Sequence, residues 1–174
     1  PYAPLFRSGL VELQPEDQTE KVSTGVGEGE VSASSFLKES GGYSYNPKNA
    51  FDGNMASTWQ EGVDGSGIGQ WLEVKFAESK FVDIFMVNGF NHSDDKYGDL
   101  YDANCRVSRI KISYGANLEQ SVTTDLMDGV KDFQKIAGGI QSTRFRFTIL
   151  DVYKGSKWQD TAISEIKFSA FDPK

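Results

Sequence analysis

The 174-residue chain has a single cysteine, Cys105, and a single histidine, His92. One cysteine excludes an intrachain disulfide and a cysteine-based zinc site, and one histidine excludes a histidine-rich metal centre. No apolar run approaches the ~20 residues that a spanning helix needs. The best candidate, FVDIFMVNGF (81–90), is interrupted by Asp83 and Asn88, so no membrane insertion is expected. Positive charge is also short. Lys and Arg number 18 against 25 Asp and Glu, for a net charge of −7 and a pI of 4.8. That balance argues against nucleic acid, which requires a basic footprint, and against an anionic membrane surface. It is compatible with calcium, neutral sugars or basic partners. No signal peptide pattern is present, and the opening PYAPLF suits a mature form or a fragment.

What the chain does have is aromatic residues and glycine: 12 Phe, 7 Tyr, 3 Trp and 18 Gly. Short strands joined by tight turns use both. Residues 1–29 are weakly patterned, polar and Gly-rich towards their end, and read as an N-terminal extension or linker with one short strand near Leu10 to Leu13. From there a domain over 30–174 is expected. VSASSF (31–36) reads as a short strand, and Pro47 starts at most one helical turn. WLEVKF (71–76) alternates with Leu72, Val74 and Phe76 on one face. FVDIFMVNGF is apolar on both faces, as in a central strand covered on both sides. CRVSRIKISY (105–114) slips phase between Val107 and Ile110, which a bulge near Ser108–Arg109 reconciles. SVTTDLMD and FQKI are short strand candidates. TRFRFTILDV aligns Phe145, Phe147 and Ile149, and AISEIKFSAF (162–171) closes the chain. No helical period is sustained. The spacing predicts an all-β antiparallel sandwich with its first and last strands paired.

Chemistry concentrates in a few loops. In NAFDGNMASTW (49–59), Asp52 offers a carboxylate, Ser57 and Thr58 offer hydroxyls, and Gly53 permits a turn sharp enough for carbonyls to converge. These are oxygen donors of the kind calcium takes; the alternative is that Asp52 only caps the turn. The spacing is not that of an EF-hand. Trp59, with Gln60 and Glu61, has the chemistry of a sugar platform, an aromatic face with polar groups beside it; a core Trp is the equal alternative. Trp71, ahead of LEVKF, reads as core. Asn91, His92, Asp94, Asp95, Lys96, Tyr97 and Tyr101 share one polar loop that is either a binding surface or solvated. Tyr43 and Tyr45, and Trp158 in KGSKWQD, read as exposed aromatics available to a ligand or to neighbouring loops. GVDGSGIG lacks the Gly-Lys-Ser/Thr ending of a phosphate loop. No Ser or Cys nucleophile motif accompanies His92, and adjacent Asp94 and Asp95 do not make a glycosidase pair. An enzyme is not expected.

VSASS, NAFDGNMASTW, GIGQWLEVKF, RVSRIKISY and TRFRFTILDVYKGSKWQDTAISEIKF, in this order over Val31 to Phe171, resemble the discoidin or coagulation-factor type C family, closest to a bacterial glycan-binding branch. The resemblance implies a discoidin-like jelly roll that binds a glycan or glycoprotein on loops at one end; of the candidates read above, Trp59, Glu61, Asn91, His92, Tyr97 and Trp158 are then the expected ligand residues. It implies a structural calcium held by Asp52 and Thr58, the backbone carbonyls of Asn49 and Asn54, and the distant Glu165. It further implies a secreted or cell-surface module attached to an enzyme or surface protein. A protein–protein adhesion or structural domain on the same fold is the alternative.

Overall fold

Alternation writes the strands, and the bends in two of them make the sandwich. The computed structural model describes Val11, Glu12 and residues 18–173. Its strands are β1 (Val11–Glu12), β2 (Glu20–Thr24), β3 (Gly27–Ala33), β4 (Ser35–Phe36), β5 (Trp59–Gln60), β6 (Trp71–Asn88), β7 (Ser93–Asp94), β8 (Gly98–Asp99), β9 (Cys105–Tyr114), β10 (Gln120–Asp125), β11 (Gln134–Tyr153) and β12 (Thr161–Ala170). A 3₁₀ turn covers Pro47–Phe51, and a single helical turn, α1, covers Leu100–Ala103.

The two long strands, β6 and β11, pair along most of their length. Residues 71–76 of β6 and 144–148 of β11 belong to one layer, in the order β2–β3–β6–β11–β9–β10. Residues 82–88 of β6 pair with β12 in the other layer, together with the first part of β11 and with β5. The chain turns the corner at residues 77–80, which are all exposed, and at a register shift between Ser142 and Arg144. WLEVKF and FVDIFMVN are therefore one strand, and its polar middle is a bend outside the core. Among the described residues pairing is antiparallel except for a short parallel join of β12 to β9.

Leu72, Val74, Phe145, Phe147, Ile149, Ile110 and Ile112 point inward from the first layer and are buried. Val82, Ile84, Met86, Ile166 and Phe168 meet them from the second. Phe168 sits at the centre, its ring centroid 5.2 Å from Phe145 and 6.2 Å from Phe147. Each such side chain contributes about 1.5–3 kcal/mol by leaving water. The phase slip in β9 is a bulge: Arg109 pairs Asp151 while Val107 pairs Val152, so Ser108 is left over.

Three expectations are corrected. Residues 20–24 and 27–33 form a hairpin on the edge of the first layer, with Val22, Val26 and Val31 buried, so that part of the supposed extension is sandwich. Among the described residues the first and last strands do not pair: β1 pairs β4, whereas β12 pairs β5, β6 and β9. The residues flanking Val11–Glu12 in the expected first strand, Leu10 and Leu13, lie outside the described residues. Finally, 81–90 is covered fully on one face only, because Phe81, Asp83 and Phe85 stay half-exposed.

Candidate functional site at the loop end of the sandwich

A second, smaller apolar cluster lies at one end of the sandwich. Leu37, Tyr45, Phe90, Leu100 and Ala162 form its base, and Tyr43, Tyr97 and Trp158 pack on it half-buried. The polar loop after β6 is folded over this base. Gly89 turns the chain there with φ 76°, and a Cβ would stand 2.5 Å from the Tyr101 ring, so only glycine fits. The β7–β8 hairpin and α1 follow, with the Asp99 carboxylate accepting from Tyr101 N as the α1 cap.

The rings are held by polar contacts. Tyr43 Oη donates to Asp94 Oδ2 at 2.7 Å, while Asp94 Oδ1 accepts from the backbone N of Lys96 and Tyr97 at 2.8 and 2.9 Å. Sharing its proton with Asp94, and partly desolvated, the Tyr43 phenol is pushed up to about 12. The same bond, with the Lys96 amide, holds the Asp94 carboxyl below the usual carboxylate range. His92 stacks on Phe90 at 6.0 Å and meets Tyr43 edge-on at 5.6 Å. Tyr97 meets Trp158 edge-on at 5.5 Å, and Lys157 Nζ donates to the Tyr97 carbonyl at 2.6 Å. The niche between Tyr43, Tyr45, Phe90, Leu100 and Trp158 holds about 10 Å³, room for one water at most. A ligand here lies on the rings, not in a cavity.

Of the expected ligand residues, the fold brings His92, Tyr97 and Trp158 to this end. Asn91 is adjacent but turned inward, its Nδ2 donating to the Asn88 carbonyl at 3.2 Å. Trp59 and Glu61 are corrected outright. Trp59 is fully buried in the main core, its indole N–H donating to the Ser35 carbonyl at 2.9 Å, so it presents no face to a sugar. Glu61 is also fully buried and accepts from Val63 N at 2.9 Å and Thr161 N at 3.1 Å; it ties loop to strand. Tyr45 is buried, not exposed. Trp71 is half-exposed on the outside of the first layer beneath the Arg146 guanidinium, 4.1 Å away, and is not core. Phe90 and Leu100, which the rings stand on, went unread. Phe90 looked like the end of a strand; Gly89 just before it is the available signal.

At another edge, the loop 49–59 meets β12. Gly53, at φ 76°, donates its N–H to Glu165 Oε2 at 3.0 Å, and the next amide, Asn54 N, donates to Asp52 Oδ1 at 2.8 Å. Two carboxylates thus sit on consecutive amides. Glu165 is 5% exposed. Burial pushes its carboxyl up to about 8, the nearby Asp52 charge adds to the rise, and the Gly53 amide opposes it. A buried carboxyl facing another carboxylate, with no ion pair among the described residues, suits a hard cation that takes oxygen ligands. The remaining side chains fit less well. Thr58 Oγ donates to the Trp59 and Ile163 carbonyls, and Asn49 Nδ2 donates to those of Ser44 and Thr58. Asn54 Oδ1 accepts from Ala56 N, and Ser57 Oγ bonds Asp52. Among the described residues no group of three His, Cys, Asp or Glu side chains converges as a metal site, so any ion here depends on backbone oxygens beside Asp52 and Glu165.

A bent two-layer jelly roll, with ringed loops at one end and this loop-to-strand joint at its edge, is a discoidin-like module of the coagulation-factor type C kind, as the sequence motifs imply. Within that class, the chain belongs to the NAD glycohydrolase translocation F5/8 type C domain family, whose model matches residues 22–169. Among solved structures, it is similar to CBM32-3, a carbohydrate-binding module from a family 31 glycoside hydrolase of Clostridium perfringens. The TM-score is 0.62 at 16% identity, covering 80% of this chain and 88% of that one. It is also similar to the family 32 module of C. perfringens NanJ in complex with galactose, with TM-score 0.55, 15% identity, and 87% and 98% covered. A third likeness is to the mycobacterial arabinofuranosyltransferase AftD, with TM-score 0.58 and 15% identity over 82% of this chain and 11% of that one. No curated protein matches the chain in sequence. At these identities the solved structures share its fold, and function is argued from the site.

Proposed function

We propose that the chain is a non-catalytic glycan-binding module that takes its ligand on the loop end. The observation that carries this is the half-exposed ring group of Tyr97, Trp158 and His92, fixed by Asp94, Tyr43 and Lys157 on a buried apolar base. Sugar C–H faces stack on such rings, and the flanking carboxylate, amine and imidazole take hydroxyls. Pre-set rings lose little freedom on binding. A single shallow platform binds weakly and gains from attachment to a larger protein or from repetition. Solved carbohydrate-binding modules of the same fold and the family's link to NAD glycohydrolase translocation support an attached, secreted or surface role.

The test is a glycan array followed by titration of the best hit. Trp158→Ala and Tyr97→Ala should each weaken it about tenfold, which is ~1.4 kcal/mol, while each variant keeps the parent's β-sheet circular dichroism and a cooperative melt. Retained affinity in both variants sinks the reading. Capture of proteins without any glycan would favour the adhesion alternative.

The same reading includes a structural calcium on Asp52 and Glu165 with carbonyl oxygens of the loop. The ion would neutralise the buried Glu165 and tie the 49–59 loop to β12 without contacting the ligand. A native-state ligand raises stability by mass action. Calcium should therefore raise Tm over chelator, and Asp52→Ala should abolish that response. No shift with either, and no metal in an elemental assay, would remove calcium from the account.

A further inference from the structure

The outer face of the first layer carries a charge surplus of the wrong sign for this acidic chain. Strand register sets it out in rows. In one row Lys21, Glu30, Lys75 and Arg144 lie side by side across β2, β3, β6 and β11. In the next, Glu73 is opposite Arg146, with Ser32 and Ser113 beyond. In the third, Trp71, Thr148, Lys111 and Thr123 follow one another. The three rows hold five cations against two carboxylates, in a chain whose net charge is −7. The flanking rows do not share the surplus: Glu28 lies beyond the first, and Arg109 pairs Asp125 and sits across from Asp151 beyond the third.

A structural ion pair requires one cation for one carboxylate. Here Glu73, 3% exposed, receives Arg144 Nε at 2.7 Å and Arg146 Nε at 2.8 Å, with Lys75 Nζ 3.8 Å away. Lys75 is directly opposite Arg144, a like-charge placement that destabilises a sheet. The guanidiniums are pinned, Arg146 by Trp71 and Arg144 by the Ala116 carbonyl. Arg146 Nη1 and Arg144 Nη2 meet no acceptor among the described residues. Two fixed, partly exposed guanidiniums with donors to spare thus share one face with surplus charge, the arrangement that takes a carboxylate.

We infer that this sheet face is a second binding site, separate from the loop end, for an anionic glycan chain bearing uronate carboxylates. Charge complementarity selects an anion. The rest of the face selects a sugar over an acidic protein segment. Hydroxyl residues Ser32, Thr123 and Thr148 lie among the cations, Trp71 adds a half-exposed ring, and among the described residues none of the exposed large apolar side chains lies here. A protein partner would want an apolar centre; a hydroxyl-rich polyanion wants this mixture.

The experiment titrates the protein with oligogalacturonate, with its methyl ester as the neutral match and with polyglutamate of equal charge, at low and at near-physiological salt. Oligogalacturonate should bind at low salt, about tenfold more weakly as screening rises, and the methyl ester should fail. Arg146→Gln should weaken binding about tenfold or more. Should that variant lose its fold, Lys75→Gln with Lys111→Gln tests the same face while leaving the arginine clamp on Glu73 in place. Trp158→Ala should bind oligogalacturonate like the parent. The inference is overturned if no binding occurs at low salt, if the face substitutions change nothing, if Trp158→Ala abolishes binding, or if polyglutamate binds as tightly.

Discussion

Two glutamates lie under the surface of this sandwich at nearly equal depth, in opposite company. Glu73, 3% exposed, sits in the outer face of one layer under Arg144 and Arg146, with Lys75 beside them. Glu165, 5% exposed, sits where β12 meets the 49–59 loop, with one amide on its carboxyl and Asp52 nearby. A buried carboxylate costs several kcal/mol unless opposite charge or hydrogen bonds compensate. The first is over-compensated and the second under-compensated. Burial alone therefore says little about what a glutamate does. The sign left over around it says what kind of partner is missing: an anion at the Glu73 face, a cation at Glu165.

Removing the two charges should move stability in opposite directions. Glu73→Gln leaves three cations without their carboxylate and should be the larger effect. Half-exposed arginines are partly screened, so the expected loss is about 2–3 kcal/mol, or roughly 5–10 °C in Tm. An unchanged melt would mean that the clamp is decoration and that the comparison fails on its first side.

Glu165→Gln in calcium-free buffer should instead stabilise. The folded-state pKa of Glu165 is raised, from 4.5 to about 8. Its contribution is then fully present below pH ~4.5 and is lost as pH rises through about 8, because the fold prefers the neutral acid. Glutamine keeps that neutral form at every pH. The gain should be absent near pH 4 and grow above it; the shift sets a ceiling of about 5 kcal/mol, of which the weaker Gly53 bond to a neutral amide and water reaching the carboxylate leave about 1–2 kcal/mol above pH 8, read as roughly 3–6 °C. The variant should also stop responding to calcium. Destabilisation at pH 8 in chelator would show that Glu165 is held by charge already within the chain.

The strands were legible in the sequence because their inward residues repeat every second position: Leu72 and Val74, Phe145 and Phe147, and the β9 slip that forecast its bulge. The β2–β3 hairpin was not legible. It is an edge element that buries only alternate small or branched residues, with glycines at 25, 27 and 29, and it looks like a linker. The 77–80 corner hid the continuity of β6 for a similar reason, since a bend outside the core is polar. At the candidate site, His92 and Tyr97 were legible together because one polar loop carries both, and Trp158 only as an exposed aromatic; its place against Tyr97 is a tertiary contact. The fates of Trp59 and Glu61 were not legible. Trp59 is fixed by a carbonyl 24 residues away and Glu61 by an amide 100 residues away, and no local pattern carries such contacts. The Glu73 clamp spans 71 and 73 residues to its arginines and was unreadable for the same reason.

The smallest change separates surplus from structure most directly. Lys75 stands 3.8 Å from Glu73 with 56% of its side chain exposed, and it is the residue opposite Arg144. Its attraction to Glu73 is long and screened, worth ~0–1 kcal/mol. Its repulsion from Arg144 across the strands is of similar size, about 0.2–1 kcal/mol. Glu30 on its other side retains Lys21 as a neighbour. Lys75→Gln should therefore leave Tm unchanged or raise it by about 1 °C, with any gain fading at high salt as both terms are screened. A drop of several degrees would show that Glu73 needs its third cation. The face would then be a balanced ion network with nothing to spare for a ligand. An unchanged or higher Tm, together with weaker oligogalacturonate binding, would show positive charge kept on the face at no benefit to the fold, which is the condition a binding site imposes.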